Sequence, residues 1–170
     1  MSVFPRGAEL LGASYGLQVV EPAKTIPATT FSNIFTVSGG RVLVTSLTGV
    51  VTTVIGAVAT TLSVGVTPTG GSLAATGLCT ATAITSLPVG AQVGIPPLIS
   101  GALVVSAASG VLQAGSGSGT SAIGVPVING GIAVVSPGVI NINTSATTTG
   151  ALSWTLMYVP LDTGALVTAV

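Results

Sequence analysis

The chain has 170 residues and six charges, Arg6, Lys24 and Arg41 against Glu9, Glu21 and Asp162, with no histidine and a net charge of zero. At 4 % charged, where globular domains average about 25 %, it lacks both the titratable groups of acid–base catalysis and the basic clusters that grip phosphates. Its 48 % hydrophobic content and mean hydropathy of +0.94 exclude the disordered class as well, so the chain has to fold, and its length is one domain's worth.

Residues 1–30 differ from the rest, holding four of the six charges (Arg6, Glu9, Glu21, Lys24) together with Pro5, Pro22 and Pro27. They read as an extended N-terminal arm able to lie across a neighbour; the alternative is an edge strand plus loops on the same domain. Pro5 and Glu9 interrupt the apolar stretch a secretory signal needs, which argues against Sec-type export.

From Phe31 the texture changes to short β-like runs between turn signals, and residues 31–170 read as a single β domain. FSNIFTV, the pair Gly39-Gly40 and RVLVTSLT, in which Val42, Val44 and Ser46 alternate with Leu43, Thr45 and Leu47, predict a hairpin. Residues 42–66 run 25 positions without a charge, the length of a membrane-spanning helix. Their β-branched couplets, broken by Gly49, Gly56 and Gly65, favour strands and turns instead. No Trp or Tyr belt flanks them, and the aromatic girdles of an outer-membrane barrel are missing, so no membrane partner is expected.

TTLSVGV and the turn at residues 67–71 follow, then an alanine-rich stretch, residues 72–87, that admits a helical turn. Gly90, Gly94 and Pro96-Pro97 punctuate the next segment, and GALVVSAASGVLQ reads as strand or short helix. GSGSGTS, residues 115–121, is a flexible loop by composition. AIGVPVI, the turn Asn129-Gly130-Gly131, IAVVSPGVININTS and ALSWTLMYV bring the expectation to about eight to ten strands. With turn signals every ~8–12 residues and no sustained helical periodicity, the fold class is all-β. The expected architecture is an antiparallel β-sandwich or barrel, jelly-roll-like, with the extended N-terminal arm. Thr52-Thr53 and Thr60-Thr61 echo each other, but the period does not continue, so a solenoid is not supported.

No catalytic residues are expected, and the reading is of a protein that is not an enzyme. Two of the three acids fall in the arm, and a nucleophilic Ser, Thr or Cys has no histidine to activate it. No metal and no cofactor are expected either, since ligand-bearing side chains are too few to build a cage. Gly115 to Gly119 superficially resembles a phosphate-cradling loop but lacks its lysine. Three basic residues rule out direct nucleic-acid binding as a main role, and the lone Cys79 reads as a small buried hydrophobe.

The polar cover must then be neutral, and 24 Thr and 17 Ser supply it. Such an exterior gives a free monomer little colloidal protection, which points to a subunit of something larger. The stretches FTVSGGRVLVTSLTGVVTTVIG, residues 35–56, and SWTLMYVPLDTGA, residues 153–165, resemble small, charge-poor virion proteins of tailed bacteriophages associated with capsid decoration or cementing. The resemblance implies a trimeric or otherwise homo-oligomeric β protein on the capsid surface of the virion, with copies of itself and the major capsid protein as partners. Candidate interface residues are Phe4, Tyr15, Phe31, Phe35, Trp154, Met157 and Tyr158, because aromatics and Met are enriched in interface cores; the same side chains equally suit the core. The alternative is a phage tail or surface β-module that binds a receptor or glycan through Asn129, Asn141, Asn143 and Thr147-Thr148-Thr149. Sugar sites usually add an exposed aromatic, for which Tyr15, Trp154 and Tyr158 are the candidates. Ice binding by Thr arrays is a third, minor reading, weakened by irregular Thr spacing.

Overall fold

In a computed structural model, the described residues are 16–27, 31–69, 76–95, 101–106, 113–114, 122–123 and 133–170. The β-branched runs become strands, and none of the described residues is helical. In chain order the strands are β1 (Leu17–Thr25), β2 (Phe31–Ser38), β3 (Val42–Thr53), β4 (Thr61–Pro68), β5 (Thr76–Gly77), β6 (Thr82–Ala83) and β7 (Gln92–Gly94). They continue with β8 (Val104–Ser106), β9 (Gln113–Ala114), β10 (Ala122–Ile123), β11 (Ala133–Val135), β12 (Gly138–Thr144), β13 (Ala151–Pro160) and β14 (Leu166–Ala169). The charge-free stretch 42–66 is thus β3, a loop and β4, and no helix among the described residues is long and apolar enough to cross a membrane.

Two antiparallel sheets pack face to face as a β-sandwich. The first has the order β1-β13-β3-β7-β8, with β11 also on β3; the second has the order β14-β2-β12-β4-β5, with β6 also on β4. β9 and β10 form a separate parallel pair. Period-2 alternation sends one side of each strand into the core. Leu152, Trp154, Leu156 and Tyr158 point inward from β13, and Leu62, Val64 and Val66 face them from β4, with Ile140 and Ile142 from β12. Cys79 is buried in the same core, where its Sγ accepts a hydrogen bond from Val64 N at 3.3 Å.

The expected hairpin at residues 31–48 does not form. β2 pairs with β12 and β14, while β3 pairs with β13, β7 and β11, so Gly39-Gly40 carries the chain from one sheet to the other. Gly39 sits at φ +72°, and a Cβ there would run into the Gly164 carbonyl, because the β13–β14 crossing passes alongside. Arg41 ties the two crossings together. Its backbone N–H and Nε donate to Asp162 Oδ2 at 2.8 and 2.9 Å, and Nη2 donates to Oδ1 at 2.8 Å. A local hairpin signal lost here to a tertiary clamp between residues far apart in sequence.

The boundary of the arm also moves. Residues 17–25 form an edge strand registered on β13 from Leu17↔Tyr158 to Thr25↔Ala151, so they belong to the sandwich. Pro22 lies where the register shifts between Glu21 and Lys24, a position where a missing N–H does no damage. Residues 1–15 lie outside the described residues.

Both flanks of the sandwich are stitched. Beside β1, Glu21 Oε2 accepts a 2.7 Å hydrogen bond from Val170 N, just past β14, and Lys24 Nζ donates to the Val170 backbone oxygen at 3.0 Å. On the other flank, Thr80 N donates to Gly101 O at 2.8 Å and Leu103 N donates to Thr80 O at 3.1 Å.

Candidate functional site

The four charged residues among those described are used in pairs. Arg41–Asp162 closes at 2.8 Å and Lys24–Glu21 at 3.5 Å. Hydrogen bonds from the Arg41 side chain, and then from its backbone N–H, hold the Asp162 carboxyl at about 2. Both pairs lie where the two sheets meet, so the outward faces of the sheets are left to uncharged side chains. The two carboxylates are in separate ion pairs, and no three His, Cys, Asp or Glu side chains come together among the described residues. Burial pushes the Cys79 thiol up, away from the reactive thiolate.

The outward face of the first sheet is built from complete cross-strand rows. Gln18, Met157 and Ser46 make one row, Val20, Thr155 and Thr48 the next, and Ser153, Val50 and Gln92 a third. Hydroxyl and aliphatic side chains alternate there. Val20, Val50 and Val134 are exposed, and none of these rows carries a charge.

The outward face of the second sheet is different. One row runs Phe31, Asn143, Ser63 across β2, β12 and β4; the next runs Asn33, Asn141, Gly65, Gly77 across β2, β12, β4 and β5. The two glycines leave the second row without side chains on its β4–β5 side, and a groove of about 210 Å³ opens there. Phe31, Ser63, Asn141 and Asn143 line it, as do Gly65, Thr76 and Gly77. Phe31 is 63 % exposed, so its ring stands against the groove rather than in the core. Asn141 is buried, and its Nδ2 donates to Thr67 Oγ1 at 2.9 Å. Its Oδ1 faces Gly65, where an added Cβ would come within 3.2 Å.

The sequence-predicted residues separate into three groups. Phe35, Trp154 and Tyr158 are buried between the sheets and meet no partner from there. Phe31 and Met157 sit on opposite outward faces, Phe31 on the second sheet and Met157, half-buried, on the first. Phe4, Tyr15 and Asn129 lie outside the described residues. Of the glycan candidates, Asn141 and Asn143 share the groove, whereas Thr147–Thr149 occupy the β12–β13 connection, with Thr149 O accepting a bond from Gly56 N. Ser63, Gly65 and Gly77 were not anticipated. The alternation Leu62-Ser63-Val64-Gly65-Val66 already marks Ser63 and Gly65 as outward, but only the β4–β12 register brings them to the asparagines. Comparison with protein-family models, curated proteins and solved structures finds no match to this chain.

Proposed function

We propose that this protein is an architectural subunit, a β-sandwich that packs against copies of itself and onto the capsid of a tailed bacteriophage, stabilising the shell. The observation that carries the reading is that no charge is left unpaired among the described residues. All four described charged residues serve the joints between the sheets, and the described rows on the outward face of the first sheet present uncharged Thr, Ser, Gln, Met, Val and Leu side chains. Uncharged faces pack on protein without stranding desolvated charge. Near-zero net charge favours association over free solution. The role requires no catalytic residue and no cofactor. A homo-oligomer, trimeric or of another order as the sequence resemblance implies, with the major capsid protein as its second partner, fits this chemistry.

Quantitative mass spectrometry of purified virions carrying this chain tests the proposal. Several hundred copies per particle are expected of a shell component. A handful of copies, or none, would overturn it.

A further inference from the structure

We infer that the groove on the outward face of the second sheet binds a neutral sugar, with one pyranose ring against Phe31. This goes beyond the architectural role and does not depend on it. At about 210 Å³ the groove is below the ~300 Å³ at which drug-sized pockets begin, so it suits one ring rather than a large cofactor. None of its lining residues is charged, and a charged ligand would lose its hydration with no opposite charge to replace it. A sugar has the complementary chemistry: an apolar C–H face for the exposed Phe31 ring, and hydroxyls for the Asn143 amide and the Ser63 hydroxyl. Asn141 is already fixed by Thr67, so its carbonyl oxygen is presented without a further ordering cost. A peptide strand is a poorer occupant. The adjoining edge of β4 is taken by β5 and β6, and the groove lies on the face of the sheet, where no unpaired backbone ladder is on offer.

The test is a nitrogen-15 NMR titration of the full chain with glucose, galactose, mannose, N-acetylglucosamine and their short oligomers. At least one sugar should shift resonances of Phe31, Ser63, Gly77 and Asn143 with millimolar affinity, about −4 kcal/mol at ~1 mM. Phe31→Ala should weaken that binding about tenfold. Gly77→Val should abolish it by filling the floor. The first Cβ at position 77 meets only the Cys79 carbonyl, at an ordinary 3.5 Å, so an unchanged spectrum elsewhere would show that this variant is folded. The inference fails if no sugar in the panel moves the groove resonances, or if binding persists equally in both variants. It fails too if Phe31→Ala alters self-association while sugars do nothing, which would make the groove a contact between copies.

Discussion

Two glycines in the middles of long strands have opposite fates. In the first sheet, Gly49 faces inward, opposite Trp154 on one side and Val93 on the other. A Cβ there would lie 2.8 Å from Val93 Cγ2 and 3.0 Å from the Trp154 ring, so the missing side chain is space that the indole already occupies. In the second sheet, Gly65 and its neighbour Gly77 face outward; a Cβ at Gly77 would meet only the Cys79 carbonyl, at 3.5 Å, and the groove opens there. A glycine inside the sandwich therefore secures packing, whereas a glycine outside it makes a concavity. The outward face of the first sheet and the grooved face of the second differ for this reason, and they suit different partners.

Substitutions can break the comparison at either end. Trp154→Ala should cost the most, about 3–5 kcal/mol in urea unfolding, since it empties the centre of the core. Gly49→Ala should cost about 1–3 kcal/mol by overpacking the same place from the other side; a loss near zero would mean that the ring does not rest there. The contrast holds only while the sheets stay registered across their flank, and Glu21→Ala removes the buried acceptor for Val170 N, with an expected loss of about 1–3 kcal/mol. Asp162→Asn should lower Tm by less, because that pair is exposed, and the effect should depend on pH. The folded carboxyl is held at about 2, below the ordinary ~3.9. Its stabilisation is therefore complete above about pH 4 and fades as pH falls towards 2. Melting curves of wild type and variant should differ at neutral pH and converge near pH 2. Smallest of all, Gly77→Ala should leave stability within ~0.5 kcal/mol, which would set the outward glycines apart from Gly49.

The sandwich was legible in the sequence because Val/Thr-rich runs with period-2 alternation leave few alternatives to strands, as β3, β4, β12 and β13 illustrate. The exclusion of a spanning helix over residues 42–66 rested on the same β-branched chemistry. Partners were not legible. The Gly39-Gly40 signal describes a reversal of the chain but does not say whether the next strand pairs back or crosses to the other sheet. That choice is made by pairings between segments far apart in the chain, β2 with β12 and β14 and β3 with β13, and the Arg41–Asp162 pair closes the crossing only in the folded chain. Pro22 and the charges at Glu21 and Lys24 gave residues 17–25 the texture of an arm, yet those charges hold an edge strand to Val170. The groove was half visible. Asn141 and Asn143 stood out as amides, while its aromatic wall and glycine floor depended on strand register, which no local pattern encodes.

Sedimentation velocity of the full chain over a wide concentration range tests the central claim, that sheet faces without free charge among the described residues rest against other protein. The wild-type chain should associate. Val50→Glu, on the outward face of the first sheet, should shift it to single copies, and Phe31→Glu, on the grooved face, should leave association intact. A wild-type chain that stays a single copy at the highest concentration, or one whose association survives Val50→Glu, would contradict the account.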